Sequence, residues 1–216
     1  MSAQDDSKGR MTRRGVVLSG VAMAAWPLAG RAQEPHPNPM PEELRDVLER
    51  NPALPVAGNP DGDVTLTEFF DYNCTFCRRN IKAVQQIVSR DEDLRLVFRE
   101  WPVFGEGSMF AAKASLATLN QGKYWQFHSA MMGLNARAEE ATVMRVAREI
   151  GLDTEKLRAD MEARAILDQI YETMDLADTM GLQGTPTFIA GHEARFGLQT
   201  LGDLQLLVAQ ARRNLL

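Results

Sequence analysis

The sequence predicts an α/β domain whose sheet is interrupted by a block of helices between the second and third core strands. Three observations predict it. Residues 64–70, VTLTEFF, alternate as a half-buried strand does, and Ile81, Val84 and Val88, with Ile87 beside them, then fall on helical spacing. From Ser108 to Met180 the periodicity stays helical. Strand-like runs return only at Thr187–Ala190 and Ala194–Phe196.

The chain opens on a basic segment, Lys8, Arg10, Arg13 and Arg14, followed by residues 15–30, GVVLSGVAMAAWPLAG, which carry no charge. That run is shorter than the ~20 residues a membrane span requires. It ends in GRA, with small residues Gly30 and Ala32 placed for cleavage before Gln33. Residues 1–32 therefore read as an export signal, cut near Ala32, and the product as a soluble periplasmic protein. TRRGVVL resembles a twin-arginine signal with Arg13 and Arg14 as its pair. Val16 stands where that motif has Phe and no Lys follows, so the export route stays open between this and an ordinary secretory signal.

Of 216 residues, 184 remain after the first 32, enough for one domain with a sizeable core. Lys+Arg falls from 24 to 19 and Asp+Glu from 29 to 27, a net charge of −8 that argues against nucleic acid as a partner. Residues 33–60 are proline-rich, a linker around one short amphipathic segment in which Leu44, Val47 and Leu48 can dock. The domain proper is expected at residues 61–216, with 108–181 as the helical insertion.

Leu94–Val103 reads as the second strand, closing at Trp101-Pro102. Ser108 is placed as the cap of the first inserted helix, and Gly122 divides it from Tyr124–Met132. Helices follow at ATVMRVAREIG (141–151) and DTEKLRADM (153–161), then a long one striped by Ile166, Ile170, Met174 and Ala177 that stops at Gly181. Residues 200–213 close the chain as a helix with Thr200 and Asp203 at capping-box positions. Tyr124 to Phe127 and most of the methionines past the leader sit at core spacing, and His128 reads as a satisfied polar residue.

Both cysteines of the chain lie in EFFDYNCTFCRRN, two residues apart. Exported proteins meet an oxidising compartment, but a bridge between Cys74 and Cys77 closes almost no loop and would stabilise little. Zinc would need further ligands, and His36, His128 and His192 are not at paired spacing. What remains is reversible redox chemistry, in which one thiolate attacks and its neighbour resolves the mixed disulfide. Cys74 sits where strand hands over to helix, so unpaired N–H groups favour its thiolate. Arg78 and Arg79 add positive charge nearby, although either one alone reads as a solvated helix face. Glu68 lies on the apolar face of its strand, either buried with a raised pKa and relaying the proton that Cys77 exchanges, or wet near the strand end.

On these residues the sequence resembles the DsbA-like thiol–disulfide oxidoreductases of the thioredoxin superfamily, over residues 61–216. The strand, CTFC and helix form the first block, and Glu68, six residues before Cys74, matches the superfamily's buried acid. GTPTFIAG, residues 184–191, forms the second. Residues 94–132, from the second strand into the first inserted helices, form a third. The resemblance implies a thioredoxin-like fold and a cis bond at Thr185-Pro186, packed against the cysteines and offering backbone groups to a bound peptide. Independently, X–Pro bonds are those in which cis is cheap, and a proline here is tolerated at a strand start.

One departure bears on function. Thr75-Phe76 stands between the cysteines where strongly oxidising members carry Pro-His. The predicted activity is a protein thiol–disulfide oxidoreductase acting on cysteine-containing exported proteins, running as a dithiol oxidase with a membrane redox partner. Cys74, Cys77 and Glu68 would carry the chemistry and Thr185 and Pro186 the substrate contact, with no cofactor and no metal. Isomerases of the superfamily build oligomers through an N-terminal region, and only residues 33–60 precede the first strand, which favours a monomer. Reductase or isomerase action, or a Cu(I)-handling thiolate pair, are the alternatives left open.

Overall fold

The computed structural model describes residues 38–215. The predicted export signal lies outside the described residues. Five strands, β1 (Val56–Gly58), β2 (Val64–Phe70), β3 (Leu94–Glu100), β4 (Thr187–Ala190) and β5 (Glu193–Phe196), form one sheet in the order β1-β3-β2-β4-β5. A short helix α1 (Glu42–Arg45), continued by a π turn (Asp46–Arg50), precedes them, and α2 (Thr75–Arg90) joins β2 to β3. Those two strands run parallel, which requires such a crossover, whereas the other pairs are antiparallel. Between β3 and β4 come α3 (Glu106–Ala117), α4 (Tyr124–Met132), α5 (Glu140–Glu149), α6 (Thr154–Met161) and α7 (Arg164–Thr179). A last helix, α8 (Leu201–Leu215), follows β5. This is the thioredoxin-like α/β architecture, with its helices inserted between the second and third core strands.

Period-2 alternation splits the sheet residues between two cores. Val64, Leu66 and Phe70 join Leu94, Leu96, Phe98 and Phe188 in the larger one, which α2, α8 and the inserted helices cover. Phe69, Ile189 and Trp101 pack instead with Leu48 and with Leu176 and Ala177 of α7. Each such side chain contributes about 1.5–3 kcal/mol by leaving water. Helix α2 buries Cys77, Ile81, Val84 and Ile87 as one stripe, so Cys77 is anchored by the same face that holds the helix to the sheet. The β4–β5 turn uses Gly191 at φ +59°, where a Cβ would come within 3.0 Å of the Ala211 side chain of α8.

Several elements differ from the sequence reading. Residues expected to be linker contain β1, which pairs with β3; three residues beside Pro55 are too few to display an alternating pattern. In the amphipathic segment Leu48 is buried and Leu44 packs beside it, but Val47 is exposed. Its backbone, like that of Leu48, accepts hydrogen bonds from the buried Arg99, which also pairs with Glu172 of α7 at 2.9 Å. The second strand ends at Glu100, short of Pro102, which has no N–H to give a ladder. Helix α3 begins at Glu106, and Ser108 does not cap it but donates to Asp71. At α8 the capping box forms: Asp203 accepts the Thr200 N–H at 2.8 Å, and Thr200 Oγ1 accepts the Asp203 N–H at 3.2 Å.

Candidate active site

Strand β2 ends at Phe70, and the chain turns through Asp71-Tyr72-Asn73 before α2 begins. Cys74 closes this turn, its N–H donating to the Asp71 carbonyl at 3.1 Å, and stands as the N-cap residue of α2. Its sulfur receives the Cys77 N–H at 3.4 Å, one of the donors that a helix start leaves unpaired. The thiol in turn donates to the Thr185 carbonyl oxygen at 3.3 Å, across 111 residues of sequence. The Thr185–Pro186 peptide bond is cis, and the Pro186 carbonyl accepts the Gly197 N–H at 2.8 Å. Cys74, Cys77, Thr185 and Pro186 are thus brought to the tip of one helix.

The two thiols, both free, have opposite electrostatics. Cys74 is pulled from 9.0 down to about 6, foremost by a hydrogen bond from Cys77, against the opposing effect of burial, with help from Thr185 and the N–H groups of Cys77 and Phe76. The buried Thr185 hydroxyl has no partner while Cys74 is a thiol, and it favours the thiolate. Burial pushes the Cys77 thiol far up, reinforced by hydrogen bonding to Cys74 and by the charges of Glu68 and Cys74.

Glu68 is dry, not wet at the strand end: only 2 % exposed, it pairs in register with Phe98 on one side and Phe188 on the other. Burial, then the charge on Cys74, raises its carboxyl to about 8, and its Oε2 has no hydrogen-bond partner. A carboxyl in that state holds a proton at neutral pH and stands where the charge of the cysteines reaches it.

Hydrogen bonds, not arginine charge, lead the lowering of Cys74. Arg78 is no solvated helix residue: its Nε donates to the Tyr72 carbonyl at 2.6 Å and its Nη1 to the carbonyls of Ala136 at 2.7 Å and Leu134 at 3.2 Å. It clamps the turn before Cys74 to the loop after α4. Arg79 is exposed and lies over the Phe76 ring, 5.8 Å from its centroid. His128 is buried, its Nδ1 meeting the Tyr72 hydroxyl at 3.2 Å, and desolvation lowers it to about 3, so the ring is neutral.

Cys74 is 2 % and Cys77 1 % exposed, yet Cys74 forms part of the floor of an open depression of about 610 Å³. Phe76, Val103, Phe104, Leu182, Thr185 and Phe196 wall it. A thiol placed so is reached by a partner that enters the depression, while Cys77 stays behind it. The exposed thiolate pair that a Cu(I) carrier needs is not what this fold builds.

Asp71 is the residue whose part the sequence did not disclose. Buried at the end of β2, it accepts the Asn73 N–H at 2.6 Å and the Ser108 hydroxyl at 2.8 Å through Oδ1, and the N–H groups of Val103 at 2.7 Å and Phe104 at 3.0 Å through Oδ2. One side chain therefore joins the cysteine turn to the loop that walls the depression. Its only sequence signal is an Asp directly after an apolar strand, which reads as an ordinary turn residue.

The chain is similar to a thioredoxin-like oxidoreductase from Silicibacter pomeroyi, with a TM-score of 0.77 and 50 % identity over 78 % of this chain and 98 % of that one. It is also similar to the thiol-disulfide exchange protein α-DsbA2 of Wolbachia pipientis, with a TM-score of 0.73 and 26 % identity over 78 % and 92 % of the two chains. Among curated proteins it matches the Na(+)/H(+) antiporter NhaA 3 of Salinispora tropica at 27 % identity over 158 residues, 72 % of this chain. The chain spans only 24 % of that protein and 32 % of a second NhaA antiporter, from Salinispora arenicola. None of the described helices is long and apolar enough to cross a membrane. The thioredoxin family profile matches residues 50–210, and the chain belongs to that family, among its DsbA-like thiol–disulfide oxidoreductases.

Proposed function

We propose that this protein is an exported, periplasmic dithiol oxidase that takes two electrons from cysteine pairs of other exported proteins through Cys74-Thr75-Phe76-Cys77. The observation that supports this reading best is the opposition of two thiols one helical turn apart, Cys74 pulled down to about 6 and Cys77 pushed far up. In the oxidised protein a substrate thiolate attacks the Cys74 sulfur. The bond between Cys74 and Cys77 breaks as the mixed disulfide forms, and Cys77 leaves with the electron pair and takes a proton from Glu68. A second substrate thiolate then attacks the substrate's own sulfur in the mixed disulfide. Substrate departs oxidised, and Cys74 is released as a thiolate.

A leaving thiolate held near 6 stabilises the reduced protein at neutral pH, which drives exchange toward substrate oxidation. Thr185 and Pro186 frame the groove in which the substrate segment lies. A membrane redox partner accepts the two electrons and restores the disulfide, and the working unit is a monomer.

Redox titration of the mature protein tests the direction. A potential toward the roughly −120 mV end of the superfamily supports oxidation, and one near about −270 mV makes the protein a reductase. The exchange mechanism is tested by Cys77→Ala, whose Cys74 thiolate should attack disulfides of oxidised substrate proteins and accumulate mixed disulfides, because the attack by Cys77 that would release them is gone. Absence of those adducts would remove the mechanism.

A further inference from the structure

Two charged depressions adjoin the one that holds Cys74, and they are of opposite kind. One, of about 590 Å³, shares Thr75 with the Cys74 depression and is walled by Arg78, Arg79, Lys82, Leu134 and Asn135, with no acidic residue in its lining. The other, of about 620 Å³, shares Phe104 with it and carries Glu106, Glu139 and Glu140 beside a single cation, Arg137. Arg79 and Lys82 are exposed and form no ion pair among the described residues. Nη2 of Arg78 is buried without a partner, and the nearby Asp71 carboxyl is already engaged by four donors. Among the described residues most other cations are matched to carboxylates, as Arg50, Arg99, Lys113, Arg145, Lys156 and Arg212 are.

We infer that the cleft of Arg79 and Lys82 is a subsite for a carboxylate side chain of the substrate polypeptide, so that the protein prefers cysteines flanked by acidic residues. The inference rests on the exchange function proposed above and names the substrate class for that same site. Unmatched cations five and eight residues along α2 from the nucleophile create a local field that reaches about 8 Å at physiological salt, so the net negative charge of the rest of the chain does not cancel it there. In the acid-lined depression Glu139 and Glu140 are already paired, with Arg137 at 3.5 Å and Arg158 at 2.7 Å, so neither is drawn to Arg79 or Lys82. Glutathione, a small thiol bearing carboxylates, shares this chemistry and is a separate arm of the test.

The experiment compares two dithiol peptides, one with Glu and one with Gln flanking each cysteine, as substrates of the oxidised mature protein. At low salt the acidic peptide should show a kcat/KM about three- to tenfold higher, the range expected of one or two exposed ion pairs. The advantage should shrink as salt is raised and vanish in the Arg79→Ala/Lys82→Ala double variant. A merely structural effect of that variant would slow both peptides alike and leave the ratio standing, which overturns the inference. Equal turnover of the two peptides by the unaltered protein overturns it while leaving the exchange function intact, whereas turnover of neither removes both. A preference found with glutathione but not with the peptides would also overturn it, since a polypeptide carboxylate is what is claimed.

Discussion

Glu68 and Asp71 lie three residues apart near the end of one strand, both carboxyls, both about 2 % exposed, and they do opposite work. Asp71 is surrounded by donors, two backbone N–H groups of the depression wall, one of the cysteine turn and a serine hydroxyl. Glu68 sits between Phe98 and Phe188 with one oxygen that has no partner, and burial raises it to about 8. Burial by itself therefore does not say what a carboxyl is for. The donors around it do: where they are present the group is a strut, and where they are missing it becomes a store for a proton.

The largest effect that can break this comparison is expected from Asp71→Ala. It strands four donors in a nearly dry site and should cost about 3–5 kcal/mol in urea unfolding. A loss under about 1 kcal/mol would mean that water or another group takes over and that Asp71 is no strut.

Glu68→Gln sharpens the other half. The folded protein raises the Glu68 pKa from 4.5 to about 8, so the carboxyl imposes no cost below 4.5, and the cost grows as pH rises toward 8. The variant should thus be more stable than the parent at pH 7, by about 3 kcal/mol at most, and indistinguishable from it in acid. Because charge on Cys74 is the second cause of the shift, the gain should be smaller in the oxidised protein. Equal stability of the two proteins across the whole pH window would show that Glu68 is hydrated after all.

The smallest expected change comes from Thr185→Val, which removes a hydroxyl that favours the Cys74 thiolate. The Cys74 pKa is lowered on folding, so its contribution to the reduced protein is full above 9.0 and is lost as pH falls through about 6. The variant should titrate about one unit higher, equivalent to ~1.4 kcal/mol, when the thiolate is followed by its ultraviolet absorbance. An unchanged midpoint would leave the lowering to Cys77 and the helix start alone.

Much of the frame was legible before folding. The switch from period 2 at Val64–Phe70 to helical spacing at Ile81–Ile87 puts Cys74 at a helix start, and β2, α2, β4 and α8 lie where their patterns say. The cap at Thr200 and Asp203 is equally local. Less legible were elements without room for a pattern, such as β1 with three residues. The depression was not legible either, because Phe76, Phe104 and Phe196 come from three separate segments and look like stray apolar residues in each.

By itself, then, the sequence determined which stretches alternate, which coil, and that two sulfurs one turn apart begin a helix. Those are properties of neighbours along the chain, where spacing and capping act over a few residues. Tertiary structure alone decided that Glu68 is dry, that Asp71 holds a wall 32 residues further on, that Arg78 spends its donors on carbonyls, and that Thr185 meets Cys74 across 111 residues. Desolvation and hydrogen-bond partners are set by whatever segment folds alongside, and no periodicity within one segment records which segment that is.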